Sequence, residues 1–498
     1  MLKQKTRHTI RLIGFLLFAF SSVTAASAAT FTKMWDEDTK CILKMEGEIK
    51  EGDYQKLLNL IVTPDVRKED PSKPKETFIW SGFSKVDPRG YDGDYKHRRL
   101  CLNSPGGSFA EALKIAKIVD EGLGTVVEKH HRCLSACALV FMSGKHATGE
   151  EDFKTIDRHI HAKASLGFHA PSLDLGFENL PIKTVPKELV NASYSTALTN
   201  SSDILKNRAL LNLRDSLFIT VLETSPQEMF YIDTPGKAAM WQIDVYGIPI
   251  PKRISQQNVA LACDAAAAYL QDRSLGKIKP DWPYQLTVGA SSAKGGVKKL
   301  RNTITGIREG YDEEASSTCE VSINLSNVNK SKGLFEKLGS LKVNNEKNFF
   351  YKIRPFQFYR RSARFSDILK SQYSPEIGKI EIRSKGICRK VNNRKITLQI
   401  NCSMTKVIDL YGIQYIEYTW AKNKHARVVK TANSIKLNKK KSSIRWSVSP
   451  DFLKTFPDSD AAIKEHGECL SMPGRLNFFC YEQKSPETEI RPQKISLN

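Results

Sequence analysis

From residue 41 to about 250 the apolar positions fall into two alternating rhythms. Short runs dense in aliphatic and β-branched residues, CILKMEGEI, RRLCLN, GTVVEKHH, SLGFHA and VYGIPI, are separated by stretches with helical spacing: FAEALKIAKIVDEG, SACALVFMSG and a long segment near 205–223. After Ser108, the residues Phe109, Ala112, Leu113, Ala116 and Val119 recur on one helical face, and Gly122 and Gly124 close the helix. Such alternation predicts an α/β layer fold with parallel strands, the helical face packing on the sheet. From about residue 255 the rhythm changes to ITLQI, QYIEYTW and SIRWSV, separated by Asn, Gly, Ser and Lys. That pattern predicts a β-rich, irregular region without a repeat period, in which LNKKKSS is a solvated turn.

A chain of 498 residues exceeds what one core usually organises, so two or three domains are expected. Lys3, Lys5, Arg7 and Arg11, then LIGFLLFAF, then Ala26-Ser27-Ala28 carry the features of a secretory signal peptide cleaved near Ala28. The divisions expected are therefore a signal peptide over 1–28, an α/β domain over 29–250 and a basic β-rich region over 255–498, with room for two subdomains. No later run approaches the roughly 18 to 20 uninterrupted apolar residues of a membrane span, which predicts a soluble periplasmic or secreted protein.

Ten cysteines, all beyond the signal, suit an oxidising compartment. Cys388 and Cys402 flank a strand-turn-strand pattern at Val391-Asn392-Asn393, and Cys469 and Cys480 flank Met472-Pro473-Gly474, so each pair is expected to staple a hairpin. Charge divides the chain sharply. Residues 251–498 hold 44 Lys and Arg against 23 Asp and Glu, a net +21, whereas residues 1–250 are close to neutral with 32 against 31.

Candidate chemistry gathers at three predicted strand ends. LNSPGGSFAEAL leaves a strand, turns through Asn103-Ser104-Pro105-Gly106-Gly107 and enters a helix, where bare glycine backbone lets N–H groups approach an oxyanion. A tight strand-to-helix turn with no ligand gives the same pattern. Ser135 lies at the next such junction, between GTVVEKHH and ACALVFMSG, where the Ala136 N–H would be a second oxyanion donor; a serine there also serves as a plain N-cap. His169, closing SLGFHA, supplies an imidazole able to accept a proton near neutrality.

The series LNSPGG, an amphipathic helix, a serine before small and apolar residues, and a strand ending in His-x-Pro resembles the Clp-type serine peptidases of the Clp/crotonase superfold. YIDTPGKAAMWQIDVYGI is similar to that family's later segment, and the likeness covers about residues 40–250. It implies a Clp/crotonase-like parallel-sheet domain, Ser135 as nucleophile, His169 as general base, and the amides of Gly107 and Ala136 as the oxyanion hole. It implies no cofactor and no metal. The family's orienting Asp aligns with Met229, so the resemblance leaves three arrangements open: Glu228 or Asp233 acting from a shifted position, a Ser-His dyad, or an inactive site. A serine-lysine site would need Lys129, Lys145 or Lys163 buried, against their polar surroundings. His130, His131, His146, His159 and His161 lack a helical ligand pair and read as solvated rather than zinc-binding.

Cys133 and Cys137 flank Ser135 and read as structural, either bonded to one another across the turn or each paired elsewhere, for instance with Cys101. The basic second half would attract polyanions, and FFYKIRPFQFYRRSARF has the composition of a headgroup or nucleic-acid contact surface, or of a β-domain with a cationic solvent face. The sequence thus predicts an exported serine hydrolase acting on peptides or proteins, localised by a basic region that meets anionic phospholipid, lipopolysaccharide or cell-wall polymer, with oligomerisation left open. Two alternatives stand beside it: an inactive Clp-like envelope-binding protein, and an acyl-CoA enzyme, whose substrate export would remove.

Overall fold

The computed structural model describes residues 28–61, 98–147, 154–171, 187–251, 254, 256–271, 298–300, 303–312, 315–324, 339–343, 349–372, 378–392, 395–421, 424–431, 434–438, 440–445, 467–471, 477–483 and 488–490. The expected signal peptide up to residue 27, Asn393, Lys439 and Met472-Pro473-Gly474 lie outside the described residues.

The first part is mixed α/β. Strands β1 (Thr30–Lys33), β2 (Cys41–Glu46), β3 (Arg99–Asn103), β4 (Gly124–Val127), β8 (Arg158–His161) and β11 (Asp244–Tyr246) form a six-stranded sheet in that order. All its pairings are parallel except β1 with β2. Helix α1 (Asp53–Ile61) and helix α3 (Ala136–Met142) both pack on helix α2 (Phe109–Asp120), which starts where the sequence pattern places it. Ser108 caps α2 by accepting from the Glu111 N–H at 3.3 Å, and Ala112, Leu113, Ile115, Ala116, Ile118 and Val119 are buried.

A second, three-stranded sheet orders β10 (Phe230–Tyr231), β9 (Ser165–Phe168) and β5 (Arg132–Leu134), and β6 (Lys145–Ala147) pairs antiparallel with β7 (Lys154–Ile156) as a separate ribbon. The helical stretch expected near 205–223 is two helices, α4 (Lys187–Lys206) and α5 (Asp215–Glu223). Between them the chain turns through Asn212 at φ 44° and buries Leu211 and Leu213, which a continuous helix would not deliver to the core. Helix α4 buries Ile204 and exposes Val190, Tyr194, Leu198 and Leu205. After β10, helix α6 (Pro235–Met240) begins with Thr234 as its cap and a proline in its first turn.

The C-terminal part is antiparallel and more regular than its sequence suggests. Strands β12 (Lys298–Leu300), β13 (Thr303–Asp312), β14 (Ala315–Asn324), β15 (Gly339–Val343) and β16 (Phe349–Ile353) form a meander. Then β17 (Ile380–Asn392), β18 (Lys395–Ile408), β19 (Gln414–Ala421), β20 (Lys424–Thr431), β21 (Ser434–Leu437), β22 (Lys440–Arg445), β23 (Gly467–Ser471) and β24 (Asn477–Gln483) each pair with the next. Because β24 also pairs with β17, through Arg389 opposite Cys480, the sheet closes on itself as an eight-stranded barrel, with β25 (Thr488–Ile490) beside the start of β17. Closure removes the open edges that make exposed sheets prone to mispairing. Inward positions are filled by Met404, Ile416, Tyr418, Val428, Leu437, Phe479 and Tyr481.

Between meander and barrel, residues 354–371 run as a strap against the α/β part. Phe356, Tyr359, Phe365 and Ile368 join the same buried cluster as the α/β core, as does Leu410 from the loop after β18. Each large apolar side chain so buried contributes about 1.5–3 kcal/mol. Three of the strap's arginines, Arg354, Arg360 and Arg361, are buried, while Arg364 and Lys370 are exposed. Arg354 donates twice to Asp244 Oδ2, at 2.9 and 2.6 Å, and Arg360 donates to the Gly378 carbonyl at 3.0 Å. Most of the aromatic-basic stretch RPFQFYRRSARF is therefore an internal seam, with Arg364 left at the surface.

Disulfides join Cys41 to Cys101, Cys133 to Cys137 and Cys388 to Cys402, and Cys263 is also bonded. Register places Cys469 directly opposite Cys480 in β23 and β24. These bonds suggest an oxidising, extracellular or periplasmic compartment. Among the described residues no helix is long and apolar enough to cross a membrane.

Candidate active site

Ser135 follows β5 directly and precedes α3, so it sits where the small parallel pair β5/β9 ends rather than at the edge of the main sheet. Its backbone lies at φ 55°, ψ −124°, a region that non-glycine residues rarely enter and that costs about 1–3 kcal/mol. Although it holds the N-cap position, its hydroxyl makes no cap hydrogen bond. The N-cap reading of this serine does not hold: a plain cap sits in extended backbone and bonds the first turn.

The turn is held from several sides. Cys133 and Cys137, both fully buried, are bonded to one another across it, so neither reaches Cys101. The Ser135 N–H donates to the Gly167 carbonyl at 3.0 Å, and the Leu134 N–H donates to the Ser104 carbonyl at 3.2 Å. Through the latter bond the LNSPGG turn lies against β5. Gly106 and Gly107 have φ of 107° and 130°, and a Cβ on Gly107 would stand 2.2 Å from the Ile49 carbonyl oxygen, so this backbone admits only glycine. The Gly106 N–H is taken by Ser104 Oγ at 3.1 Å. Its neighbour Gly107 is bridged to Ile49 through Ile49 N–H to Gly106 O and Ser108 N–H to Ile49 O, both 2.7 Å, which leaves Gly107's own N–H on the opposite side. Among the described residues the N–H groups of Gly107 and Ala136 have no acceptor.

His169 comes one residue after β9, whose Gly167 is paired with Leu134 of β5. The two strands thus bring the loop after Leu134 and the loop after Phe168 to the same end of one sheet. No hydrogen bond joins Ser135 Oγ to His169; the imidazole Nδ1 lies 2.8 Å from the Ala170 carbonyl oxygen. Extending the antiparallel register of Phe230 with Phe168 by one residue puts Met229 opposite His169. The Met229 thioether fills the space beside Gly167, where a Cβ would come within 2.7 Å of its Sδ.

The acids named from sequence do not reach the imidazole. Glu228 is exposed, and Asp233 pairs with Lys237 at 2.7 Å at the start of α6. Lys129 and Lys163 are exposed, and Lys145 is tied to Asp120, so none stands as a buried lysine base for Ser135. Among the described residues no group of three or more His, Cys, Asp and Glu side chains is placed to hold a metal.

A buried polar network that sequence reasoning did not find lies across the six-stranded sheet. Asp157 accepts from Arg99 Nε and Nη2 at 2.8 and 2.9 Å and meets His159 Nε2 at 2.6 Å. Burial would raise the Asp157 carboxyl, but Arg99 and His159 outweigh it and hold the group well below its ordinary range. Burial and Arg99 push His159 down. This network ties strands together far from Ser135 and reads as structural. No family model matches the chain, and no curated protein matches it.

Proposed function

We propose that the protein is an exported serine hydrolase acting on peptides or proteins, on a Clp/crotonase-like domain. The observation that carries this reading is Ser135: a serine held in strained backbone, with its hydroxyl uncommitted, beside two N–H groups that have no acceptor. In the reaction, Ser135 Oγ attacks an acyl carbon while Nε2 of His169 takes its proton, and the N–H groups of Gly107 and Ala136 receive the oxyanion. The lack of a hydrogen bond between Ser135 Oγ and His169 is compatible with this role, because catalytic hydrogen bonds are often long or unformed without substrate. The sequence resemblance to Clp-type peptidases supports the same assignment of roles. The absence of a carboxylate opposite His169 favours the rival reading, a binding protein that retains the fold without the chemistry.

The basic C-terminal part is assigned to localisation. On the outer face of the barrel Arg383, Lys385, Lys390, Lys424, Arg427 and Lys436 are exposed, a surface suited to anionic phospholipid, lipopolysaccharide or cell-wall polymer. The exposed apolar stripe of α4 supports oligomerisation. Incubation of the exported protein with a mixed peptide library tests the reaction: new peptide termini should form with the wild-type protein and not with Ser135→Ala. Equal products from both would exclude Ser135 as nucleophile.

A further inference from the structure

We propose that the main-chain carbonyl of Ala170, fixed in place by Pro171, orients His169 in the role that a carboxylate fills in a triad. The inference rests on the hydrolase reading for its catalytic consequence, but its structural content stands by itself. A carbonyl oxygen can only accept. With Ala170 O 2.8 Å from Nδ1, the neutral ring carries its proton on Nδ1 and leaves Nε2 as the lone-pair nitrogen, the form a general base needs.

The carbonyl is itself held. The Ala170 N–H donates to the Thr224 carbonyl at 2.9 Å, at the C-terminal cap of α5. The next residue is Pro171, whose ring excludes helical backbone from Ala170 and keeps it extended. Two independent constraints therefore set the direction of the oxygen. On the other side, Met229 faces His169 across the β9/β10 pair, a position from which a side chain lies about 4.5–5.5 Å away at Cβ. A thioether there cannot share the charge of an imidazolium. Triad carboxylates do two things, fixing the tautomer and stabilising the imidazolium; Ala170 O performs the first, and the second is weak in this chain.

Nitrogen-15 NMR of protein labelled at histidine, at a pH where the ring is neutral, reads the tautomer directly. His169 should be the Nδ1–H form in the wild-type protein and should shift toward Nε2–H in Pro171→Ala, with the rate of fluorophosphonate labelling falling about tenfold. Met229→Asp should raise labelling only about tenfold, because orientation is already supplied; in the Pro171→Ala background the gain should be larger. A wild-type Nε2–H tautomer would overturn the proposal, as would a gain in Met229→Asp approaching the 10⁴-fold that separates oriented from unoriented imidazole. A wild-type protein with the Nδ1–H tautomer that takes no label would count against the hydrolase reading and not against the orientation.

Discussion

Gly106 lies directly against Ser135: a Cβ added to Gly106 would stand 2.8 Å from the Ser135 Cβ and 2.7 Å from the Leu134 carbonyl oxygen. The contact joins the glycine turn to the serine turn, so neither can move without the other. Gly106→Ala adds both this clash and an unfavourable positive φ, and is expected to cost about 1–3 kcal/mol in stability. The rate of Ser135 labelling in the folded fraction should fall at least about 100-fold. Chemical denaturation and labelling kinetics measure the two effects separately, and unchanged labelling would show that the turns are not coupled.

The Cys133–Cys137 bond closes a five-residue ring with Ser135 at its centre. A bond this local changes the loop entropy of the unfolded chain little compared with a long-range bridge, so its effect should be on the turn. Cys133→Val/Cys137→Ala refills buried volume without restoring the bond. It should retain the fold and lose about 10- to 100-fold in labelling rate, whereas Cys41→Ala/Cys101→Ala should lose stability and keep the wild-type rate per folded molecule. The reverse pattern would locate the constraint elsewhere.

Much of the site was legible because its signals are local. The helix after Ser108, the glycine pair, the serine after a strand and His-x-Pro after another are short-range features that do not depend on distant pairing. Other features lacked a local signal. Strand β5 has only three residues, too few for a period, and Met229 is placed opposite His169 only by the β9/β10 register. Barrel closure depends on β17 meeting β24 from far along the chain, as in Asn392 with Asn477 and Arg389 with Cys480. The strap misled by composition. Arginine and aromatic residues read as a surface, yet Phe356 and Phe358 are buried, and so is Arg354, whose guanidinium pairs with Asp244 and lets its stem pack.

Acid should weaken the fold before the carboxylates titrate. His161 is half-buried against Tyr246 and Gly247, and burial, together with Lys129, Lys163 and His130, lowers its pKa to about 4. The unfolded chain, with an ordinary value near 6.5, takes the proton first as pH falls. The stability this neutral ring contributes is thus complete above about 6.5 and is lost as pH falls toward 4; His159, shifted down by burial, acts in the same direction. Asp157 acts at lower pH: its contribution is complete above the ordinary carboxylate range and is lost as pH falls through that range, where the unfolded chain takes the proton first, toward the depressed folded value. The urea midpoint should drop between pH 7 and 4.5, and His161→Gln should flatten that drop. An equal drop in the variant would remove His161 from the account.

If the barrel's outer cations localise the protein, the full chain should bind anionic vesicles far better than neutral ones. Binding should weaken steeply between 0.05 and 0.5 M salt, as the screening length falls from about 14 to about 4 Å. Reversing Arg383, Lys385 and Arg427 to glutamate should weaken it further without altering the buried barrel residues. Binding that ignores salt would assign the barrel another purpose.

Labelling of the full chain with a fluorophosphonate serine probe, with the modified residue located by mass spectrometry, tests the role of Ser135 directly. A single adduct should form on Ser135, absent in Ser135→Ala and formed at a rate lowered at least about 100-fold in His169→Ala, with both variants folded. No adduct on Ser135 in the folded wild-type protein, or an undiminished rate in His169→Ala, would contradict it.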